Sequence, residues 1–570
     1  MEAGIDSRVK QNRWVNPWLA LLATAALFLV ANRGAYRGYF DNDELDNLAF
    51  TDQLFPSDFA EGLLLPVFFR NNFRPAGHLF FRFLGDGFGL WFPPYVAAIQ
   101  LLHLLNVGLL WALLRRLKLP PVACAAGALL FAFHMAVFDI YWKPMYVFDL
   151  LSGTFCLICL LLWTSDRWIA WALSLLSLWL AFRSKEIAVM MPAVLVAYEL
   201  LFGQKRWVRL APFLAFSLWF GTRGLFHAAG LRTDYSLSFR VADLWNTTLF
   251  YAAKVTGVPF AGAIVLVVLM ILAVVFVRDR RLYLGLGMFA VMLLPMLLLP
   301  GRMFSAYLYV PLIGLSIAAA CVAARQRAVL IVLFFAAWLP WNYVNLRRMR
   351  TVTLEQAEDR REYVAALTDL ADRQPAITSF IYLEGPLLEY GANAAARWLH
   401  PGKPILMVSE REPKLPGLLQ SPKLAILYWD QTTHRLDPIV RAPTIGSYVR
   451  AGPDMPVWQL RDGWFPGEGS HRWTRPHATA EMMRPAGAKA IEITVIVNDE
   501  YLNKVHQSSV TLALDGVSCG AVDLTKTGLQ TFRLPIPPAA AGPTELSIDV
   551  APPYPASEPL GVAVVAFGFT

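Results

Sequence analysis

The chain has 570 residues, of which 56% are hydrophobic and only 16% are charged, and its mean hydropathy is +0.45. Soluble domains carry roughly a quarter charged residues, so this composition excludes an ordinary soluble protein and indicates a membrane protein. The net charge of +8 comes largely from basic residues beside apolar segments, so we expect no nucleic-acid partner.

Eleven apolar segments before residue 345 approach the roughly 20 residues that a membrane-spanning helix needs. In chain order they are residues 16–32, 94–114, 120–138, 146–164, 167–183, 187–203, 210–228, 260–277, 282–300, 306–323 and 328–345. The segment 244–258 is shorter and contains Asn246 and Lys254, so we expect a surface or re-entrant helix there. The first segment ends without a small-residue cleavage site, so we expect an uncleaved span.

Basic residues at every second connection predict the orientation of these spans, because cytoplasmic loops are enriched in Lys and Arg. They are Arg115, Arg116, Lys118, Arg167, Lys205, Arg206, Arg209, Arg278, Arg280, Arg281, Arg325 and Arg327. The opposite connections, such as 33–93 and 229–259, are longer and mixed in charge. We therefore expect a multi-pass protein of the plasma (inner) membrane, with a cytoplasmic N-terminus and an extracytoplasmic C-terminal region.

The first external loop, 33–93, begins with the carboxylates Asp41, Asp43, Glu44 and Asp46. One interpretation is a solvated acidic turn. The other is a catalytic site, since a carboxylate in a partly dry site can take a proton from a hydroxyl. The rest of the loop is rich in Phe and Leu with charges at intervals, so we expect interfacial amphipathic helices that cover a cavity.

Further ionisable residues recur at the same predicted outer edge. They are Asp139, Lys143, Asp149, Arg183, Lys185, Glu186, Arg223, His227, Arg232 and Arg302, with Tyr307 beside them. Basic groups that face an acidic loop favour an anionic ligand such as a phosphate. For Lys143 and Arg223 an interfacial anchor is an equal alternative. Within the second span, His103 and Asn106 share one helix face, and we expect them to hydrogen-bond to other helices.

The region after residue 345 has the pattern of a water-soluble protein. A charged amphipathic helix over 352–372 and short apolar runs at 380–383, 405–408 and 424–428 predict a small α/β domain over 346–455. Five further strand patterns predict a β-sandwich over 456–570. They are residues 491–497, 510–514, 531–534, 545–550 and 562–569.

Aromatic residues cluster at the start of the predicted sandwich. Trp464 and Trp473 lie near Glu468, and such groups bind sugars by stacking and hydrogen bonding. The region resembles carbohydrate-binding jelly-roll modules. The alternative is that these tryptophans close the sandwich core.

Five short stretches of the membrane part carry a resemblance to a known family. They are Asp41-Asn42-Asp43-Glu44, Asn72-Phe73-Arg74-Pro75, Gln100 to Asn106 with Leu114-Arg115-Arg116-Leu117, Ser184-Lys185-Glu186 with Pro192, and Tyr307-Leu308-Tyr309-Val310-Pro311. In this order they resemble the GT-C superfamily of polyprenyl-phosphate-sugar-dependent glycosyltransferases. The nearest similarity is to the protein O-mannosyltransferases and their relatives with tetratricopeptide tails.

The resemblance implies a hexosyltransferase whose catalytic domain is 1–345 and whose donor is a sugar on a polyprenyl phosphate. Asp43-Glu44 matches the acidic pair of the family in the first external loop, and Asp41 is close enough to be the base instead. The candidates for binding the donor phosphate are Arg74, Lys143, Lys185, Arg302 and Tyr307. The expected partners are this donor, membrane lipids and a glycan or protein acceptor, and we expect inversion at the sugar.

Two departures from the family leave the acceptor open. The chain has no tetratricopeptide tail, and Trp142-Lys143-Pro144 stands where relatives often carry His-Pro. No ligand cluster in the sequence indicates a metal, so a requirement for a divalent metal stays open. The alternative functions are a transporter or flippase of lipid-linked sugars, or an inactive glycan-binding scaffold on the same fold.

Overall fold

The computed structural model describes most of the chain as two compact units, Met1–Glu358 and Asp359–Thr570. The described residues are 17–65, 73–203, 205–228, 236–373, 377–382, 385–400, 406–409, 424–430, 433, 435–440, 445–451, 457–556 and 558–570. Asn72 of the family-like stretch and Arg232 of the predicted outer edge lie outside these residues.

The described part of the first unit is built of helices. They are α1 (Pro17–Ala31), α2 (Asn42–Asp52), α3 (Pro56–Leu64), α4 (Pro75–Phe88), α5 (Pro93–Arg116), α6 (Pro121–Phe133), α7 (Val147–Trp163), α8 (Trp168–Phe182), α9 (Met191–Leu201), α10 (Trp207–Ala228), α11 (Val241–Thr256), α12 (Gly262–Val277), α13 (Arg280–Leu297), α14 (Tyr309–Ala323) and α15 (Ala328–Arg373). Short 3-10 helices at Arg33–Arg37, Met135–Tyr141, Pro144–Tyr146, Glu186–Met190 and Ser305–Leu308 precede or follow them.

Six helical segments among the described residues are long and apolar enough to cross a membrane. They are Trp18–Arg37, Pro93–Arg116, Pro144–Trp163, Arg280–Leu297, Ser305–Ala323 and Ala328–Leu370. The pair Pro121–Phe133 and Met135–Tyr141, bent by 65°, would be a seventh, and α8 and α12 are apolar but shorter. The length and composition of these helices are those of a membrane protein. That the chain crosses the membrane eleven times stays a prediction.

The expected spans 120–138 and 187–203 differ from a continuous helix. The first is broken between α6 and the 3-10 helix Met135–Tyr141, and the second begins with the 3-10 turn Glu186–Met190 before α9. The span at 210–228 falls within one continuous helix, α10, which contains Pro212. The segment 244–258, expected to be a short helix, forms α11.

The first loop contains the three short helices α2, α3 and α4, in agreement with the expected amphipathic pattern. On α4 one face is buried, as His78 and Phe81 show, whereas Phe83 on another face is 71% exposed. The buried face packs on α7, where the ring of Phe148 lies directly against Gly77. The loop helices therefore cover the beginning of α7.

A polar cluster joins helices inside the first unit. The hydroxyl of Tyr309 lies 2.9 Å from Nδ1 of His103 and accepts a hydrogen bond of 3.0 Å from Nδ2 of Asn106. Asn106 also donates to the backbone oxygen of Leu150 at 3.0 Å. These bonds confirm the predicted inter-helix role of His103 and Asn106, because Tyr309 is on α14 and Leu150 is on α7.

Helices α13 and α14 approach each other at two glycines. A methyl group on Gly285 would lie 2.7 Å from the backbone oxygen of Gly314, and one on Gly314 would lie 2.5 Å from the backbone oxygen of Gly285. Small residues at helix contacts are typical of membrane proteins, where close backbone packing replaces the hydrophobic driving force. This contact fixes α14, which carries Tyr309.

The second unit begins within α15, a 46-residue helix that contains both the predicted span 328–345 and the predicted amphipathic helix 352–372. A four-stranded sheet of order β2-β1-β3-β4 follows, formed by β1 (Ser379–Tyr382), β2 (Leu406–Ser409), β3 (Leu424–Asp430) and β4 (Arg435–Val440). Helix α16 (Glu389–Leu399) connects the parallel pair β1 and β2. This is the expected α/β arrangement.

The remaining strands form two antiparallel sheets. They are β5 (Tyr448–Arg450), β6 (Trp464–Glu468), β7 (His471–Thr474), β8 (His477–Arg484), β9 (Ala490–Val497), β10 (Ser508–Leu514), β11 (Val517–Leu524), β12 (Gly528–Pro535), β13 (Gly542–Ala551) and β14 (Ala563–Phe569), and a short helix, α17 (Asp499–Val505), follows β9. One sheet has the order β11-β10-β13-β8, and the other has the order β12-β9-β14-β7-β6 with β5 beside β14. Alternate residues such as Val495, Leu512 and Ile548 fill the core, as the period of two requires.

We predict that Gly285→Ala destabilises the first unit, because its methyl group would overlap the backbone of α14. Overpacking of this kind costs about 1–3 kcal/mol. Gly287→Ala on the same helix is the matched control, since a methyl group there has no neighbour within 4 Å. The measurement is the temperature at which detergent-purified protein loses its monodisperse peak. Equal midpoints for the two variants would contradict the close α13–α14 contact.

Candidate functional site

The acidic loop is organised by a capping box at the start of α2. Asp41 is the N-cap residue, and its side chain accepts hydrogen bonds from the backbone N–H of Glu44 and, at 2.8 Å, from that of Asn42. In return, the backbone N–H of Asp41 donates to the carboxylate of Glu44. This reciprocal pair satisfies backbone donors that a helix start leaves without partners. The spacing Asp-x-x-Glu thus fixes the direction of both side chains.

Glu44 is buried and connects α2 to the segment before α7. Its Oε1 accepts a hydrogen bond of 3.1 Å from the backbone N–H of Met145, and the side chain is almost inaccessible to solvent. Burial, reinforced by the negative charge of Asp41, raises the pKa of Glu44 to about 7. Glu44 therefore positions the acidic loop, while Asp43, directly before it in the first turn of α2, is exposed.

Lys143 lies between two carboxylates. Its Nζ is 3.9 Å from Oδ2 of Asp41 and 3.7 Å from Oδ1 of Asp139. All three side chains are about one-fifth exposed, at 23%, 18% and 19%. The pairing with Asp41 shows that Lys143 is more than an isolated interfacial anchor.

A second cation, Lys185, is held by the first turn of α7. Its Nζ is 2.5 Å from Oδ2 of Asp149, and this carboxylate is only 4% exposed. The same Nζ lies 4.8 Å above the ring of Tyr307. An ammonium over an aromatic face is attracted by the ring quadrupole, so Asp149 and Tyr307 together fix the position of Lys185.

Arg74 and Glu186 form a third pair. Nε and Nη2 of Arg74 donate to the two carboxylate oxygens of Glu186 at 2.8 and 3.1 Å, which is the bidentate geometry preferred by guanidinium. The backbone N–H of Arg74 donates to Nδ1 of His78 at 3.0 Å. Burial lowers the pKa of His78 to about 4, so its ring is neutral and able to accept this bond.

Tyr146 lies along the chain between two of these contacts. It ends the 3-10 helix Pro144–Tyr146, directly after Met145, which binds Glu44, and shortly before Asp149, which binds Lys185. We call this part of the first unit the acidic end and define it by Asp41, Glu44, Asp139, Asp149 and Glu186, with their cations Arg74, Lys143 and Lys185. Four separate chain segments contribute these residues.

Arg302 is connected to Tyr307 through the ring of Phe304. Its guanidinium lies 5.1 Å from the ring centre of Phe304, and the rings of Phe304 and Tyr307 are 5.9 Å apart. Tyr307 in turn carries Lys185. The predicted phosphate-binding residues Arg302, Tyr307 and Lys185 therefore follow one another around one side of the site.

Many residues of the predicted cytoplasmic connections meet at the other end of the helices. Nε of Arg116 donates to Oγ1 of Thr164 at 3.1 Å, Nη1 of Arg280 donates to the backbone oxygen of Leu201 at 3.2 Å, and Arg281 donates to that of Leu117 at 3.2 Å. We call this region, with Arg206 and Arg209, the basic end. Asp149 lies in the first turn of α7 and Trp163 is its last residue, so the two ends are about 21 Å apart at 1.5 Å per residue.

The structure brings together most of the residues predicted for the membrane site. Asp41, Asp43, Glu44, Arg74, Lys143, Lys185, Arg302 and Tyr307 all lie at or beside the acidic end. The sequence pattern indicated Asp139, Asp149 and Glu186 as residues of the outer edge but not as the partners of the cations, and it contained no signal for Tyr146. The i, i+4 spacing of Asp139 and Lys143 was the available signal for one pair.

The residues proposed for sugar binding lie in the β-sandwich. Trp464 stacks on Phe567 with ring centres 5.5 Å apart and donates from Nε1 to the backbone oxygen of Thr479 at 2.8 Å. Trp473 stacks on buried Tyr501 at 6.2 Å. Each indole thus packs one ring face against another aromatic residue of the sandwich. The side chain of Glu468 is 64% exposed. Carbohydrate binding by this unit stays a prediction.

The described residues contain no group of three or more His, Cys, Asp or Glu side chains arranged to hold a metal ion. The carboxylates of the acidic end are instead matched to cations or to backbone N–H groups. A comparison of the chain with models of known protein families gives no match, and neither does a comparison with curated protein sequences.

We predict that Glu44 makes the protein less stable as the pH rises from 4.5 to 7. Its carboxyl has a pKa near 4.5 when unfolded and about 7 when folded, so the folded state binds the extra proton in this interval. Stability therefore falls with rising pH, and the full loss above pH 7 is about 3 kcal/mol. Glu44→Gln, which stays neutral, should flatten this part of the profile.

The measurement is the apparent unfolding temperature in detergent between pH 4.5 and pH 8. Glu61→Gln is the control, since Glu61 is exposed on α3 and should leave the profile unchanged. A Glu44→Gln profile as steep as that of the wild type would show that ionisation of Glu44 is not responsible.

Proposed function

We propose that this chain is a membrane glycosyltransferase that moves a sugar from a polyprenyl phosphate to the hydroxyl of a glycan or protein acceptor. The observation that carries the proposal is the convergence, at the acidic end, of exposed Asp43 and half-buried Asp41 with Lys143, Lys185 and Tyr307. A base and cations at the edge of an apolar helix bundle suit an acceptor from water and a donor from lipid. The resemblance to the GT-C superfamily supports the same function.

In the proposed reaction, Asp43 or Asp41 accepts the proton of the acceptor hydroxyl. The acceptor oxygen forms a bond to the anomeric carbon from the face opposite the phosphate, and the bond from that carbon to the phosphate oxygen breaks. The electron pair leaves with the polyprenyl phosphate, so the configuration of the sugar inverts. Positioned cations stabilise the charge that develops on the departing phosphate.

Lys185 is the best-placed residue for the phosphate. An ammonium group has three N–H donors, so Lys185 can hold Asp149 and a phosphate oxygen at the same time. The ion pair orients the Lys185 side chain at the start of α7, where it is only 14% exposed. Lys143, Arg74 and Arg302 would add positive charge around the same position.

The orientation of the chain is part of the proposal. The basic end would face the cytoplasm by the distribution of Lys and Arg. The acidic end would then lie at the outer surface, where the reaction would use donor lipids of the outer leaflet. The second unit would be extracytoplasmic.

A transporter or flippase of lipid-linked sugars is the second candidate. Transporters of this kind place discontinuous helices and paired polar groups inside the membrane. The 65° break between Pro121–Phe133 and Met135–Tyr141 and the bonds among His103, Asn106 and Tyr309 have this character. Movement of a fluorescent lipid-linked sugar across vesicles without sugar transfer would favour this function.

We predict that Asp43→Asn or Asp41→Asn lowers sugar transfer from a radiolabelled polyprenyl-phosphate sugar by about 10²–10⁴-fold, the usual contribution of a general base. Asn keeps the shape of Asp and is a good N-cap residue, so both variants should remain folded. Asp52→Asn is the control, because Asp52 lies at the far end of α2 and pairs only loosely with Arg82, at 3.8 Å.

The assay uses membranes that contain equal amounts of each variant and a panel of donor lipids. Loss of transfer in one Asp variant, with Asp52→Asn active, identifies the base. Full activity of both variants would refute the carboxylate mechanism. If the wild type transfers no sugar from any donor, the transporter or scaffold function replaces the proposal.

A further inference from the structure

A groove opens at the basic end between the first turns of α8 and α10. It is lined by Trp168, Trp171, Val208, Arg209 and Pro212, and its volume is about 420 Å³. Four of these five residues are apolar, and Trp168 and Val208 are 72% and 89% exposed. The groove is therefore an open apolar surface with one cation at its rim.

The walls of this groove are fixed by hydrogen bonds. Nε1 of Trp171 on α8 donates to the backbone oxygen of Arg209 on α10 at 2.9 Å. Nη1 of Arg209 donates to the backbone oxygen of Asp166 at 3.1 Å. The first bond connects α8 to α10, and the second connects α10 to the segment just before α8, so bonds within the chain hold the walls of the groove together.

A polar hollow continues from the groove. It has a volume of about 300 Å³ and shares Val208 and Arg209 with the groove. Its other lining residues are Asp166, Lys205, Arg206 and Trp207. One continuous surface thus passes from apolar side chains to a group of cations.

The hollow has an excess of positive charge. Arg206 is bound at 2.7 Å to Glu199 and at 3.0 Å to Asp166, so these three side chains together carry one net negative charge, which the cations beside them exceed. Lys205 and Arg209 are exposed beside it, as is Arg167 in the preceding connection. The charge excess at this surface favours an anion.

We propose that this surface binds one anionic phospholipid of the surrounding membrane. The phosphate would lie against Lys205 and Arg209, and an acyl chain would lie along Trp168, Trp171 and Pro212. Tryptophan and basic residues prefer the interface between lipid headgroups and acyl chains, and anionic headgroups are attracted by clustered Lys and Arg. The proposal does not depend on glycosyl transfer, because the groove is at the end of the helices opposite the acidic site.

An amphiphile fits this surface better than a soluble anion or a second copy of the chain. A free phosphate would contact only the polar hollow and would leave the apolar groove open. A protein partner would have to present a long apolar segment ending in negative charge at membrane level. A phospholipid combines an apolar chain with a negative group and so matches both parts of the surface.

The test is native mass spectrometry of the full-length protein in detergent, titrated with phosphatidylglycerol or with phosphatidylcholine of the same acyl chains. We expect the wild type to retain phosphatidylglycerol preferentially. Lys205→Gln and Val208→Asp should each lower the affinity of the protein for phosphatidylglycerol roughly fivefold or more. The first removes a positive charge beside the headgroup, and the second adds a negative one. Neither should change retention of phosphatidylcholine by as much.

Matched controls are available at the start of α15. Arg325→Gln removes an exposed basic residue, and Val329→Asp places a carboxylate at the second position of a helix, as Val208→Asp does in α10. Val329 is also exposed, at 67%. Both control variants should keep the preference of the wild type.

Three results would overturn the proposal. They are equal retention of the two lipids by the wild type, an unchanged preference in Lys205→Gln and Val208→Asp, and an equal loss in the control variants, which would indicate a diffuse basic surface. Lys205→Arg separates charge from side-chain identity and should keep the preference. A monodisperse size-exclusion peak for each variant verifies that the fold is intact.

Discussion

Charge pairing at the ends of apolar helices is the constraint on which this structure depends. A carboxylate or ammonium removed from water is costly unless an opposite charge or hydrogen bonds replace the lost hydration. Asp149 and Lys185 satisfy this condition by their 2.5 Å contact, and breaking such a buried pair typically costs about 3–5 kcal/mol. Glu44 satisfies it differently, by accepting backbone hydrogen bonds and holding its proton up to about pH 7.

The same constraint separates the two ends of the first unit. At the acidic end the pairs connect distant segments, so that Arg74 binds Glu186 and Lys143 faces Asp41. At the basic end Arg206 binds the two nearby carboxylates, and several other arginines satisfy the carbonyl groups of helix ends. One end thus combines carboxylates with oriented cations, and the other keeps an excess of positive charge.

Local patterns in the sequence predicted much of the fold. Alternation of apolar residues located the strands of the sandwich, and apolar length located most of the helices. The first and last residues of the helices were harder to predict than their presence, because tertiary contacts and single residues determine where a helix begins and ends. The 3-10 turn Glu186–Met190 shortens one predicted span, and α15 continues through Pro340 into the segment expected to form a separate helix.

The candidate site was only partly predictable from the sequence. The resemblance and the charge pattern identified the carboxylates and cations, but not which residues pair. Lys185 and Asp149 are 36 positions apart, and Arg74 and Glu186 are 112 apart, so no helical or strand period connects them. The burial of Glu44 was equally hidden, although the Asp-x-x-Glu spacing of a capping box was present in the sequence.

The central claim is that the acidic end binds the phosphate of a polyprenyl donor. The most direct test is an experimental structure of the full-length protein with polyprenyl phosphate bound. The account predicts that a phosphate oxygen lies within hydrogen-bonding distance of Nζ of Lys185, on the side that faces Asp43 and Asp41. A phosphate bound at the basic end, with the acidic end still closed by its own ion pairs, would contradict the account.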